Sequence, residues 1–342
     1  MYNKVMKKKI LLGSLFVLLV VVTTFAIIMI IKGTGAPGLT PSDSDTTPPA
    51  VSMPIATIET LQPRTSFVVE SNENISIVNK DKYKLYPLES ENENKLYVLE
   101  IFNTALGRST PKIEVQDDSG NLIELTPSIT RDNFSFPVGL KDIPEFDPYI
   151  YVNGDDITAN VKKGVKLYTT YAPTDLVDLN LDKLLYTNAV GIKLRSEAAD
   201  YLAIMLNQLK KDTGKDIVIA SGYRSYTSQL TQYTNWVRQF GVEEADKISA
   251  RPGYSEHQLG TAVDFMSQDS GFDFTAAFAT TPAGVWLAEN SHKYGYVLSY
   301  PEGKESDTGY TYEPWHYRYI GVEAAQEYNS SGLVLNKFLS VE

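Results

Sequence analysis

Two of the three histidines in this chain stand in strings unlike their surroundings: His257 in SEHQLGTAVDF and His316 in YEPWHYRY. Asp264 follows His257 by seven residues. TAVDF alternates, so Ala262 and Asp264 face one side of a strand and Val263 and Phe265 the other. An ionised carboxylate inside an apolar strand is costly unless something pairs with it. A bound cation would explain both Asp264 and the histidine on the glycine-containing loop before it. Glu313 and His316 are three positions apart, which in a regular strand sends them to opposite faces. Pro314 cannot donate to a sheet ladder and distorts a strand there, so both side chains could converge on one site.

His257, Asp264 and His316 then form a three-ligand set of two imidazoles and one carboxylate, which suits Zn2+. Three protein ligands leave a fourth position for water, whose pKa a zinc ion lowers towards about 7. Glu313 could take that water's proton and pass it to a leaving amine. The competing reading, histidines satisfied by structural hydrogen bonds, stays open on spacing alone. His292 serves as an internal control. It lies in AENSHKYG, off the stripe of Trp286, Leu287, Asn290 and Tyr294, and reads as a solvated helix residue. The chain has no cysteine, so thiolate metal sites and disulfides are excluded. Arg224, in SGYRSYTSQ, sits where the strand DIVIA turns into a helix. It could aim a guanidinium at a carboxylate or a developing oxyanion, or be an ordinary surface arginine at a helix start.

The elements that must carry these residues are mixed. RSEAADYLAIMLNQLKKDTG places Ala199, Leu202, Leu206 and Leu209 on one helical stripe with Gly214 as its stop. SYTSQLTQYTNWVRQFG repeats the stripe with Leu230, Tyr233, Val237 and Phe240, closed by Gly241. TPAGVWLAENSHKYG starts with Thr281 as N-cap and Pro282 at the first helical position. YVLSYP and YEPWHYRYI read as strands that follow each other closely. This pattern predicts an α+β fold with an antiparallel sheet over residues 148–342 rather than a doubly wound one.

Residues 56–147 show short alternating apolar runs and a hairpin signal in QDDSGNLIEL with its turn at residues 118–121. They predict a small β domain without histidine, a spacer or wall-contact module. Residues 33–55, rich in Gly, Pro, Ser and Thr, read as an extended linker. Lys4, Lys7, Lys8 and Lys9 precede an uncharged run over residues 10–31, long enough at roughly 33 Å to cross one hydrocarbon core. Residues 1–32 are therefore expected to be a cytoplasmic tip and single-pass anchor, with the remainder outside. A cleaved signal peptide is the alternative, but the run is long and no clear cleavage site follows. Residues 1–32 hold five lysines and no acid, leaving 26 basic and 42 acidic residues beyond, a net −16. Such a charge repels nucleic acid and anionic lipid. An exported chain without cysteine fits a Gram-positive-type surface.

The strings SGYRSYTSQ, PGYSEHQLGTAVDF and WLAENSHKYGYVLSYPEGKESDTGYTYEPWHYRYIG, in that order, resemble the VanY-type D-alanyl-D-alanine carboxypeptidases. These are zinc peptidases that share a fold with the Hedgehog signalling domain. The resemblance runs from about Tyr171 to Ser340 and leaves out the β domain, the linker and the anchor. It implies Zn2+ on His257, Asp264 and His316, Glu313 as general base, and Arg224 polarising the scissile carbonyl. It also implies that Ser255, Gln229 and Tyr223 lie near the substrate's C-terminal carboxylate. The implied substrate is the peptidoglycan stem peptide, trimmed of its terminal D-alanine at the cell surface. A D,D-dipeptidase, an L,D-carboxypeptidase acting on tetrapeptides and a wall endopeptidase share the ligand set. A zinc-holding binding module without turnover would not need Glu313 and Arg224 beside it. One departure stands out: family members commonly carry Arg-Tyr-Pro where this chain has Ser299-Tyr300-Pro301, which puts substrate preference in question.

Overall fold

Short alternating runs before residue 132 pair into three small sheets around one apolar core. The computed structural model describes residues 45–90, 93–102, 104–179 and 191–340. Strands Val51–Ser52, Thr65–Ser71, Lys95–Ile101 and Tyr83–Leu88 form a four-stranded antiparallel sheet in that spatial order. Two three-stranded sheets complete the β region. Phe67, Val69, Leu99, Ile113, Val115 and Ile129 fill the space between them and are buried. The expected hairpin is present: Ile113–Asp117 pairs with Leu122–Leu125. Its turn is tied by the Asp117 carboxylate, which accepts from the backbone N–H groups of Ser119 and Asn121 at 2.8 Å each.

The second region is built on a four-stranded antiparallel sheet, ordered Val218–Ser221, Ala262–Met266, His316–Tyr319, Tyr296–Leu298. Helices Ser196–Thr213 and Pro282–Asn290 cover one face through Leu202, Met205, Leu209 and Leu287, joined by Phe278 from the 3-10 turn Ala276–Thr280, against Val263, Phe265 and Tyr317. The α+β architecture with an antiparallel sheet is as the sequence predicts. The first helix is rotated slightly from expectation: Ala198 and Met205 are buried, while Ala199 is only partly so. Gly214 ends it in the left-handed conformation (φ 71°), where a side chain would be strained. Thr281 caps the Pro282–Asn290 helix by accepting from Gly284 N–H.

The helix Tyr226–Phe240 buries Leu230, Tyr233 and Val237 as expected, but Phe240 is 47% exposed. What covers this helix was not expected. Residues 134–143 lie along it as a strap, with Phe134, Phe136, Leu140 and Ile143 against Leu230, Tyr233 and Val237. Ionic contacts continue the seam. Glu145 pairs with Lys166 (2.7 Å) and Arg64 (3.1 Å) and accepts from Tyr254 Oη (2.6 Å). The buried Glu100 accepts from Tyr149 and Tyr151 Oη at 2.8 and 3.1 Å. Contacts gather Thr47–Glu342 into one compact unit. Among the described residues no helix is long and apolar enough to cross a membrane. The expected anchor over residues 10–31 and most of the linker lie outside the described residues.

Candidate active site

Register, not proximity in sequence, brings the first two groups together. Asp264 and His316 are direct partners across the antiparallel pair Ala262–Met266 and His316–Tyr319, and Ser221 faces Asp264 from the other side. Val263 and Phe265 point into the core and Asp264 away from it, as the alternation of TAVDF requires. His257 arrives on a single 3-10 turn, Glu256–Leu259, ahead of that strand. Ser255 caps the turn, its hydroxyl accepting from His257 N–H at 3.3 Å. Gly260 closes it in the left-handed region (φ 71°).

Glu313 reaches the site differently from the expectation of a bent strand. The strand begins only at His316, and residues 313–316 make a tight turn in which His316 N–H donates to the Glu313 carbonyl at 3.1 Å. A turn returns its fourth residue beside its first, so Glu313 Oε2 lies 3.9 Å from His316 Nδ1.

Ligand atoms of His257, Asp264 and His316 all lie within 4.8 Å of one another, and all three residues are buried. His257 Nε2 is 3.1 Å from Asp264 Oδ2, and His316 Nδ1 is 2.9 Å from Asp264 Oδ1. Tetrahedral zinc with bonds near 2.0–2.2 Å spaces its donors about 3.3–3.6 Å apart, and these donors lie slightly closer than that. The far ring nitrogens are also partnered. His257 Nδ1 faces the Gly222 carbonyl at 2.8 Å, and His316 Nε2 faces Glu256 Oε2 at 2.9 Å. With a ring N–H on each outer acceptor, the inner nitrogen's lone pair would face the cluster, the arrangement a ligating imidazole needs. Gly222 has no room for a side chain: a Cβ there would sit 2.6 Å from the Lys193 carbonyl.

Electrostatics point the same way. Burial works against the Asp264 carboxylate, but His257 and His316 outweigh it and hold its pKa well below the usual range. Burial lowers His316, yet the Asp264 and Glu256 carboxylates raise it to about 10. A cation held at this nitrogen would therefore compete with a proton. Burial raises Glu313 to about 7, with the Asp264 charge pushing the same way and His316 opposing. A carboxyl near neutrality beside a ligand set has the basicity that proton transfer at physiological pH calls for.

Arg224 is held by its backbone N–H on the His257 carbonyl (3.1 Å) and by a hydrogen bond from Nη1 to the Gln232 side chain. Burial lowers its pKa against the charges of Asp264 and Glu313, and its Nε is buried without a partner. Tyr223 follows Gly222, its N–H donating to the Lys193 carbonyl at 2.7 Å. Gln229 is 1% exposed and its amide nitrogen is committed to the Ala250 carbonyl at 2.6 Å. His292 sits in the turn Ser291–Tyr294, half-buried rather than solvated, and among the described residues belongs to no ligand cluster.

Sequence reasoning missed Glu256 and Arg318. Glu256 is 5% and Arg318 0% exposed. Arg318 Nη1 donates to Glu256 Oε1 at 3.1 Å, and the Ser299 hydroxyl donates to Oε2 at 2.7 Å. Ser299, the position that departs from Arg-Tyr-Pro, therefore meets Glu256. The signal was available: in HYRY the strand alternation puts Arg318 on the same side as His316, and a charge there needs a partner.

Residues 191–322 match the family described as VanY, D-alanyl-D-alanine carboxypeptidase. Over 186 residues the chain is 39% identical to the putative carboxypeptidase YodJ of Bacillus subtilis (strain 168), covering 54% of this chain and 68% of that protein. A D-alanyl-D-alanine carboxypeptidase of Enterococcus faecalis is 33% identical over 174 residues, 48% of this chain and 61% of its own length. Among solved structures the chain is similar to the LdcB LD-carboxypeptidase, with 36% identity and a TM-score of 0.52 over 58% of this chain and 93% of that one.

Proposed function

The chain belongs to the VanY D-alanyl-D-alanine carboxypeptidase family and is a metallo-carboxypeptidase, and from that premise we propose that it removes the terminal D-alanine from peptidoglycan stem peptides using one zinc ion. The observation that carries this reading is the convergence of His257, Asp264 and His316 donor atoms within 4.8 Å, with the Glu313 carboxylate 3.9 Å from one of them. His257 Nε2, Asp264 and His316 Nδ1 would hold the ion. Bound there, zinc supplies a Lewis acid for the scissile carbonyl and lowers the pKa of the attacking water towards about 7.

The chain's own groups do the rest. Glu313 takes the proton of the attacking water and returns it to the departing D-alanine amine, a role supported by its raised pKa. Arg224 stabilises the charge that grows on the carbonyl oxygen. Its Nε is a buried donor that the fold leaves without a partner. Ser255 and Gln229 act through position, Ser255 by capping the His257 turn and Gln229 by tying the Arg224 helix to Ala250. Tyr223 lines the approach to the peptide's carboxylate. Residues 10–31 anchor the enzyme and the linker after them lifts it towards the wall, although the end of the expected 33–55 linker is not free: Val51–Ser52 pairs with Ser71 and Glu70 in the β sheet.

The likeness to the LdcB LD-carboxypeptidase favours a second reading, cleavage of the L,D bond of tetrapeptide stems. Both substrates end in D-alanine and differ in the residue before it. Mass spectrometry of defined stem pentapeptides and tetrapeptides, with and without a chelator, separates the two. Loss of one D-alanine from the pentapeptide alone supports D,D cleavage, loss from the tetrapeptide alone supports L,D cleavage, and no chelator-sensitive loss from either removes the proposal.

A further inference from the structure

His316 is flanked by carboxylates on both ring nitrogens, Asp264 Oδ1 at 2.9 Å from Nδ1 and Glu256 Oε2 at 2.9 Å from Nε2. A cation that takes one ring nitrogen displaces its proton, and the proton that stays can sit on either side. With the proton on Nδ1 the ring bonds Asp264 and offers no lone pair to an ion at the cluster. With the proton on Nε2 the ring bonds Glu256 and Nδ1 is free to ligate. Only the second serves a metal shared with His257 and Asp264.

We propose that Glu256 is a positioning residue that selects this second form of His316 and thereby sets the metal affinity of the site. The inference rests on the metal reading above. Four observations carry it. Glu256 is almost fully buried, so water does not replace it as acceptor. Its carboxylate cannot turn away from the ring, because Arg318 Nη1 fixes Oε1 at 3.1 Å and the Ser299 hydroxyl fixes Oε2 at 2.7 Å. Arg318 is itself fixed, its Nη2 donating to the carbonyls of Ile157 (3.0 Å) and Ala159 (2.7 Å). Finally, Glu256 adjoins His257 on a capped turn, so the backbone that presents one ligand also presents the group that orients the other.

Ser299 gains a specific meaning in this arrangement. A serine supplies one short donor and leaves the lone pair facing the ring free.

The substitution that tests this is Glu256→Gln. Arg318 demands an oxygen, so the amide oxygen turns to Arg318 and its NH2 faces His316 Nε2. A donor there selects the wrong tautomer. Zinc affinity of the purified full-length protein, read by competition with a chromophoric chelator, is expected to fall about 10- to 100-fold. The thermal midpoint of the metal-free protein is measured alongside. A merely structural role would lower that midpoint and leave zinc affinity alone. Should Glu256→Gln not fold, Glu256→Leu combined with Arg318→Met removes both charges and leaves neither one buried unpaired, and the same loss of affinity is expected. Wild-type zinc affinity matched within about twofold by either folded variant overturns the inference. Failure of the wild-type protein to bind zinc at all overturns the metal reading instead, so the two failures are told apart.

Discussion

Deleting residues 1–147 should prevent the rest of the chain from folding, although the family match begins at residue 191. The strap over the Tyr226–Phe240 helix is the reason. Leu230, Tyr233 and Val237 are 1%, 0% and 6% exposed, and Leu61, Phe134, Phe136, Leu140 and Ile143 are among the residues that cover them. Burying three large side chains is worth about 5–9 kcal/mol in total at roughly 1.5–3 kcal/mol each. Uncovering half of that area already costs about 2–4 kcal/mol. Lys166, 3% exposed in its side chain, loses Glu145 at 2.7 Å, and a buried pair broken from one side costs about 3–5 kcal/mol. Arg251 loses both the Pro144 carbonyl (2.6 Å) and the Phe146 ring (3.9 Å). The sum rivals the whole stability of an ordinary domain, about 5–15 kcal/mol. The damage is also close to the site, since Arg251 and Tyr254 lead directly into Ser255 and His257. Chains starting at Thr47 and at Pro148 would be compared by circular-dichroism melting and by stem-peptide turnover. The shorter one is expected to lack a cooperative transition or to melt at least about 10–20 °C lower, with activity lost in proportion. A shorter chain that melts within a few degrees of the longer one and turns over at the same rate would refute the argument and reduce the β region to a spacer.

Replacing Glu313 by Gln should leave zinc bound at one equivalent and slow turnover about 10²- to 10⁴-fold; an unchanged rate removes it from the base role. Arg224→Ala should also retain zinc and lose about 10²- to 10³-fold in kcat, whereas loss of the metal there would make the arginine structural. His257→Ala or His316→Ala should abolish stoichiometric zinc by metal analysis, and retention in either would contradict the ligand assignment. A base must be ionised to act. Because burial raises Glu313 to about 7, turnover should rise with pH through a single acid limb, displaced below that value by the charge of a bound dication. A profile flat between about pH 5 and 8, or the same limb persisting in Glu313→Gln, would assign the titration elsewhere.

What the sequence yielded, and what it withheld, follows from how far each feature reaches along the chain. Asp264 was legible because strand alternation is local: a lone acid among Ala262, Val263 and Phe265 had to leave the core. Helix ends at Thr281 and Gly214 were legible for the same reason, since caps are made by the residues at the ends themselves. Glu313 was placed correctly beside His316, but through a tight turn rather than a strand bent at Pro314, because proline is compatible with both and only the hydrogen bond tells them apart. The strap was missed because Phe134, Phe136, Leu140 and Ile143 follow no helical or strand period; they match the contour of a helix nearly a hundred residues away. Glu256 was missed for a chemical reason. A carboxylate beside a histidine looks like a surface acid until a buried arginine is found to need it, and Arg318 shares with His316 a strand face whose other occupants come from elsewhere in the chain. The proposed metal set is thus readable as a motif, while the groups packed around it are readable only by asking, for each charge placed in an apolar strand, which distant residue neutralises it. Asked of Asp264, that question led to the proposed cation site; asked of Arg318, it leads to Glu256 and, through His316, to the same cluster.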